Sequence, residues 1–153
     1  MGGSPAILCD YGGLTPLTFK ESSDFLKQIP FNALLGLRLI RFHADGVTIG
    51  CTLRPELRNA LGVLHGGVSA TLADVAVGVA VTRHLGRLRA ATTVELKINY
   101  LRPIQDGKVT ARSHLVRVGK NLATARVDLF NGSKEPAAVA LVTYMILNGE
   151  STK

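Results

Sequence analysis

The chain has 153 residues, enough for one domain with a sizeable core and too few for two ordinary ones. Its 46% hydrophobic and 19% charged residues describe a compact fold and exclude a disordered chain. A net charge of +7 suits an anionic partner, but 5% aromatic residues and the lack of long basic runs leave nucleic-acid recognition without stacking platforms or motifs.

Residues 1–20 are rich in Gly and Pro and carry no periodicity, which predicts a flexible or loosely packed arm ahead of one domain over 21–150. The arm lacks the basic start and apolar core of a signal peptide, and Ala6 stands where a myristoylation motif requires Ser or Thr. Cys9 and Cys51 lie far apart without metal-ligand spacing, so reduced thiols and a cytoplasmic location are expected, with no metal and no cofactor. Ser22 or Ser23 can cap a short helix that runs through Gln28 and stops before Pro30, with a further turn over Asn32–Gly36. Leu37–Phe42 and Val47–Leu53 alternate apolar and polar residues around Ala44-Asp45-Gly46, the pattern of a hairpin.

A long helix is predicted from Gly66 to about Arg83. Val68, Leu72, Val75 and Val79 form one stripe, while Ala70, Ala73, Val77, Gly78 and Ala80 fill the other faces. A helix that is apolar all round is buried all round, and the stretch is short and interrupted by Asp74, which favours a core helix over a membrane span. Four strands follow, the first with Val94, Leu96, Ile98 and Tyr100 alternating against Thr93, Glu95, Lys97 and Asn99. Val109–Val118, Leu122–Phe130 and Ala137–Leu147 complete the set. Two strands, a buried helix and four strands make an α+β fold of about six antiparallel strands curled around the helix.

The chemistry concentrates where that helix begins, in the run Arg58-Asn59-Ala60-Leu61-Gly62-Val63-Leu64-His65-Gly66-Gly67. Gly66 and Gly67 read either as close packing at the helix start or as uncovered backbone N–H groups at the positive end of the helix dipole, able to hold an oxyanion. Asp74, the lone charge in the apolar body of the helix, reads as a structural acid or as a base or nucleophile. The run and Asp74 together resemble the hotdog-fold acyl-CoA thioesterases, in particular the phenylacetate-degradation subfamily, with a resemblance that extends from about Phe25 to Leu147.

That resemblance implies hydrolysis of an acyl-CoA thioester with Asp74 as base or nucleophile and Gly66 or Gly67 as the oxyanion contact. It also implies that Asn59 holds the acyl carbonyl or the water, that His65 orients the loop or meets substrate, and that Thr93 assists the water. Strand parity, however, puts Thr93 on the face of Glu95 and Lys97, away from Leu96. Arg117, Gly119 and Lys120 form a basic turn where the family tends to bind coenzyme A phosphates; Arg54, Arg58, Arg83, Arg87, Arg89 and Arg102 are further candidates. Gly67 and Asp74 lie about 10 Å apart along one helix, so a shared site requires a second subunit; the resemblance implies a site across a dimer interface too, in a homodimer or homotetramer. The rival readings are a non-catalytic acyl-CoA binding or sensing module and a hotdog dehydratase or hydratase.

Overall fold

The computed structural model describes residues 7–8, 15–86 and 90–147. Strand β1 is Ile7–Leu8, followed by helices α1 (Phe19–Gln28) and α2 (Pro30–Leu35) and strands β2 (Arg38–His43) and β3 (Gly46–Thr52). Helix α3 covers Gly66–Leu85, and β4 (Ala91–Tyr100), β5 (Lys108–Val118), β6 (Leu122–Phe130) and β7 (Ala138–Ile146) complete the chain. The sheet order is β2-β3-β5-β6-β7-β4, all neighbours antiparallel, as in the hotdog arrangement; the short β1 adds a seventh strand beside β5.

Two boundaries differ from expectation. Helix α1 begins at Phe19, capped by Thr18 and not by Ser22 or Ser23. Thr18 and Glu21 make a reciprocal capping box, satisfying two backbone donors where a lone serine satisfies one, and Ser22 is buried instead. Within the predicted arm, Ile7–Leu8 pairs in parallel with Arg117–Val118 of β5. Cys9, Arg87 and Arg89 lie outside the described residues.

Helix α3 packs on strands β3 to β7, and ten of its 20 residues are buried, among them Leu72, Ala73, Ala76, Val77 and Ala80. It is long and apolar enough to cross a bilayer, but the sheet buries one side of it; Ala70, Val75 and Gly78 stay only partly buried, so the all-round burial expected from the pattern is met on one side of the helix within this chain. The strands show inward alternation, as in β5, where Val109, Ala111, Ser113 and Leu115 are buried in turn. Three register skips interrupt it, at Ile40 in β2, Val94 in β4 and Val116 in β5. Each turns an apolar residue outward, exposed by 51%, 51% and 52% respectively, and resets the phase of the strand beyond.

The β2–β3 turn is tied to the sheet through Asp45. Arg112 donates to its Oδ1, and His114 Nδ1 lies 2.9 Å from Oδ2, with His114 Nε2 3.6 Å from Asp128 Oδ2. Burial opposes ionisation of Asp45, but the bonds from Arg112 and His114 outweigh it and hold the carboxyl below the usual carboxylate range.

Candidate active site

The start of α3 is built by its own loop. His65 is the N-cap, and its Nδ1 accepts from Gly67 N–H at 2.9 Å. A ring nitrogen that accepts carries no proton, so the neutral ring bears its hydrogen on Nε2. Tyr100 donates its hydroxyl to Gly66 O at 2.9 Å. A Cβ at Gly66 would stand 3.1 Å from that hydroxyl, so glycine serves close packing here as well as exposing its amide. The Gly66–Gly67 peptide is thus held at both ends, its N–H by His65 and its carbonyl by Tyr100. The Gly66 N–H has no hydrogen bond among the described residues, which makes it the open donor at the helix start.

Asp74 sits two turns further along, beside a different opening. Thr93 donates its hydroxyl to Asp74 Oδ1 at 2.7 Å, and the Tyr144 hydroxyl lies 3.0 Å from the same oxygen and 3.0 Å from the Asp74 carbonyl. Thr93 and Tyr144 face each other across the β4–β7 ladder. Burial pushes the Tyr144 phenol well above its ordinary pKa, Thr93 partly offsets this, and the Asp74 charge adds to it; Tyr144 therefore stays a protonated donor. The three groups wall a cavity of about 590 Å³ that is otherwise largely apolar, lined by Phe25 of α1, Ile29 at the junction of the two helices and Phe31 of α2 together with Val75 and Val79 of α3. Such a chamber, with few polar groups aimed into it, suits an apolar chain carrying one reactive centre.

The parity expectation for Thr93 is overturned. The skip at Val94 turns Val94 outward, so that Ala91 and Thr93 line the cavity together with Leu96 from beyond the skip. Asn59 works inside the loop: its Oδ1 accepts from Leu61 N–H at 2.9 Å and Val63 N–H at 3.3 Å. Asn59 and Gly66 line a separate cleft of about 400 Å³ with Tyr100 and Arg102. Arg117 and Lys120 are exposed at the β5–β6 turn, which together with Gly119 contributes nothing to the Asp74 cavity of the same chain.

The other described candidate arginines, Arg54, Arg58, Arg83 and Arg102, are bound to the fold. Arg58 donates to Gly62 O and Gln105 O, Arg54 to Leu34 O and Leu35 O, and Arg83 to His43 O while covering the Phe42 ring. Arg102 donates to Pro136 O and pairs with Glu135. Among the described residues no group of three His, Cys, Asp or Glu is placed to hold a metal ion. Tyr144 is not among the expected site residues. An inward tyrosine on an alternating strand reads as core, and its only sequence signal is Gly78, one turn beyond Asp74.

A hotdog sheet around a helix with an isolated carboxylate over an apolar chamber defines a class, and comparison with known proteins agrees with it. Residues 61–138 match the family model of the thioesterase superfamily. The medium/long-chain acyl-CoA thioesterase YigI of Escherichia coli (strain K12) is 36% identical over 137 residues, 80% of this chain and 88% of that protein. A putative esterase of Saccharolobus solfataricus is 28% identical, covering 85% of this chain and 86% of that one. Among solved structures, the thioesterase HI1161 from Haemophilus influenzae superposes with a TM-score of 0.80 at 25% identity, over 86% of this chain and 92% of that one. The chain belongs to the thioesterase superfamily and is a hotdog-fold thioester hydrolase.

Proposed function

We propose that this hydrolase acts on medium- to long-chain acyl-CoA thioesters, releasing the free acid and coenzyme A at a site shared between two subunits. The observation that carries this reading is the Asp74 carboxylate, fixed by two hydroxyls at the wall of a largely apolar chamber. The acyl class follows the named activity of the relatives at 36% identity and suits the aromatic and aliphatic lining from α1 and α2.

In this reading Asp74 is the general base. A water bonded to the carboxylate attacks the thioester carbon while its proton passes to Asp74. The carbonyl electrons move onto oxygen, which is held by the Gly66 N–H at the positive helix terminus. Collapse of that oxyanion breaks the C–S bond, and the departing thiolate recovers the proton. Attack by Asp74 itself, through a mixed anhydride, is separated by a single turnover in ¹⁸O water, where label recovered in Asp74 marks the covalent route.

The two halves of the machinery do not meet within one chain. Gly66 and Asp74 are eight residues apart on α3, about 12 Å, and open into different cavities. Strand β4 is a sheet edge of ten residues with Thr93, Val94 and Tyr100 exposed along it, an edge that a second copy can pair. Antiparallel pairing of two β4 edges sets two α3 helices side by side in opposite directions, with Gly66 of one toward Asp74 of the other.

A series of acyl-CoAs followed by a thiol-reactive dye tests the proposal. Turnover should be highest with medium and long chains, and Asp74→Asn should lower kcat by about 10² to 10⁴ without loss of fold. Full activity of a folded Asp74→Asn protein would overturn the role of Asp74, and absence of turnover across the series would overturn the substrate class.

A further inference from the structure

We propose that Tyr144 and Gly78 form a positioning pair that fixes the Asp74 carboxylate through Oδ1 and leaves Oδ2 as the reacting oxygen; this rests on the reading of Asp74 as the catalytic carboxylate. The short Asp side chain swings about two torsions, and its base or nucleophile function needs one oxygen held toward the reacting carbon. Both hydroxyls near it converge on the same atom: Thr93 Oγ1 at 2.7 Å and Tyr144 OH at 3.0 Å from Oδ1. Oδ2 takes no hydrogen bond among the described residues. A carboxylate anchored on one side has its other oxygen available for water.

Tyr144 can do this only because residue 78 is glycine. Position 78 is one turn past Asp74, and in a helix its N–H bonds the same Asp74 carbonyl that the Tyr144 hydroxyl approaches at 3.0 Å. A Cβ at Gly78 would stand 2.8 Å from the Tyr144 hydroxyl and 3.4 Å from the ring carbon bearing it. The conflict is therefore with the oxygen, while the ring itself sits at ordinary contact distance. Glycine inside a helix is less stable than alanine, and passage of this hydroxyl supplies a reason for its presence here. Tyr144 is 7% exposed, and its raised pKa keeps it a donor, never a competing base.

In this proposal Tyr144 acts through Asp74, to which its hydroxyl is bonded, and that fixes the form of the test. In Tyr144→Phe the ring stays and the hydroxyl goes; kcat should fall about ten- to a hundredfold, as for a lost hydrogen bond to a charged group, with KM and melting temperature close to the parent. In the Asp74→Asn background the same change should leave the residual rate unaltered. Gly78→Ala should lower kcat in the parent but add little on top of Tyr144→Phe, because the colliding oxygen is already gone. Parent-like kcat in a folded Tyr144→Phe protein overturns the pair, as does an equal loss with and without Asp74, or a Gly78→Ala effect independent of the hydroxyl. Full activity of Asp74→Asn would instead remove the catalytic reading of Asp74, a distinct outcome.

Discussion

Thr93 reaches Asp74 Oδ1 at 2.7 Å across the space between sheet and helix because β4 skips Val94 in its pairing with β7. Without that skip an alternating strand would aim Val94 at the helix and Thr93 outward. The bulge thereby converts an apolar wall into one bearing a hydroxyl opposite the carboxylate of the chamber. Bulges beside active sites commonly re-aim a side chain in this way.

Thr93→Val keeps the shape and removes the donor. Its kcat should fall about tenfold or more, the loss expected for a hydrogen bond to a charged acceptor, with KM little changed. Thr93→Ser should retain most of the rate, because it keeps the oxygen. Steady-state kinetics on both variants decides the matter; equal damage from Ser and Val would assign Thr93 to packing and not to the hydroxyl.

The framework of this site is legible in the sequence because it is periodic. The all-round apolar face of α3 marks the core helix, Gly66 and Gly67 mark its start, and the alternation of β2 to β7 marks the wrapping sheet. The facing of Thr93 is not legible, since register is chosen by the partner strand; Thr143 and Tyr144 of β7 face Glu95 and Thr93 and leave Val94 out. The role of Tyr144 is hidden for a related reason, because nothing local joins a β7 residue to a helix 70 positions earlier. Asn59 carries a structural bond that family position does not announce: its side-chain oxygen accepts from the loop amides of Leu61 and Val63, while the expected contact with an acyl carbonyl would use its amide N–H. The capping box at Thr18 and Glu21 is present in the sequence, but Ser22 and Ser23 offer a competing start.

Asp45 predicts a pH dependence of stability away from the site. Its folded-state pKa is lowered, so its contribution is fully present above the unfolded carboxylate value near 4 and is lost as pH falls through the lower folded value. Asp45→Asn should therefore be less stable than the parent at neutral pH, with the difference shrinking below about pH 4. Because the group is partly exposed and screened, the neutral-pH loss should be on the order of 1 kcal/mol or less. Urea titrations of both proteins from acidic to neutral pH measure it; a difference that grows on acidification would contradict the assignment.

The exposed Arg117 and Lys120 at the β5–β6 turn are proposed to meet coenzyme A phosphates of a substrate held mainly by a neighbouring subunit. Arg117→Ala or Lys120→Ala should raise KM for acyl-CoA by about tenfold, the value of one charge-assisted contact, and barely affect a truncated thioester lacking the nucleotide. Because remote binding energy can be used at the reacting centre, kcat on acyl-CoA can fall as well. Equal losses on both substrates would make the turn structural. Since Arg54, Arg58, Arg83 and Arg102 are already tied to backbone carbonyls, the search for phosphate contacts would then move to cations elsewhere on the surface.

Complementation tests the shared site most directly. Asp74→Asn removes the base, and Gly66→Pro removes the open N–H; proline is tolerated at the first position of a helix, where its fixed φ suits the turn, though Tyr100 must shift slightly to admit the ring. Each variant alone should be inactive, and each should behave as at least a dimer by light scattering. In a mixed dimer one site would hold both defects and the other both intact parts, one from each chain. Mixing the two under conditions of demonstrated subunit exchange should therefore restore up to about one quarter of parent activity per subunit, since half the assemblies are mixed and each carries one working site of two. A site contained within one chain predicts no recovery at all, because every chain is then defective by itself. Recovery in proportion to the mixed fraction, and its disappearance when subunit exchange is blocked, would place Gly66 and Asp74 of different chains on the same thioester.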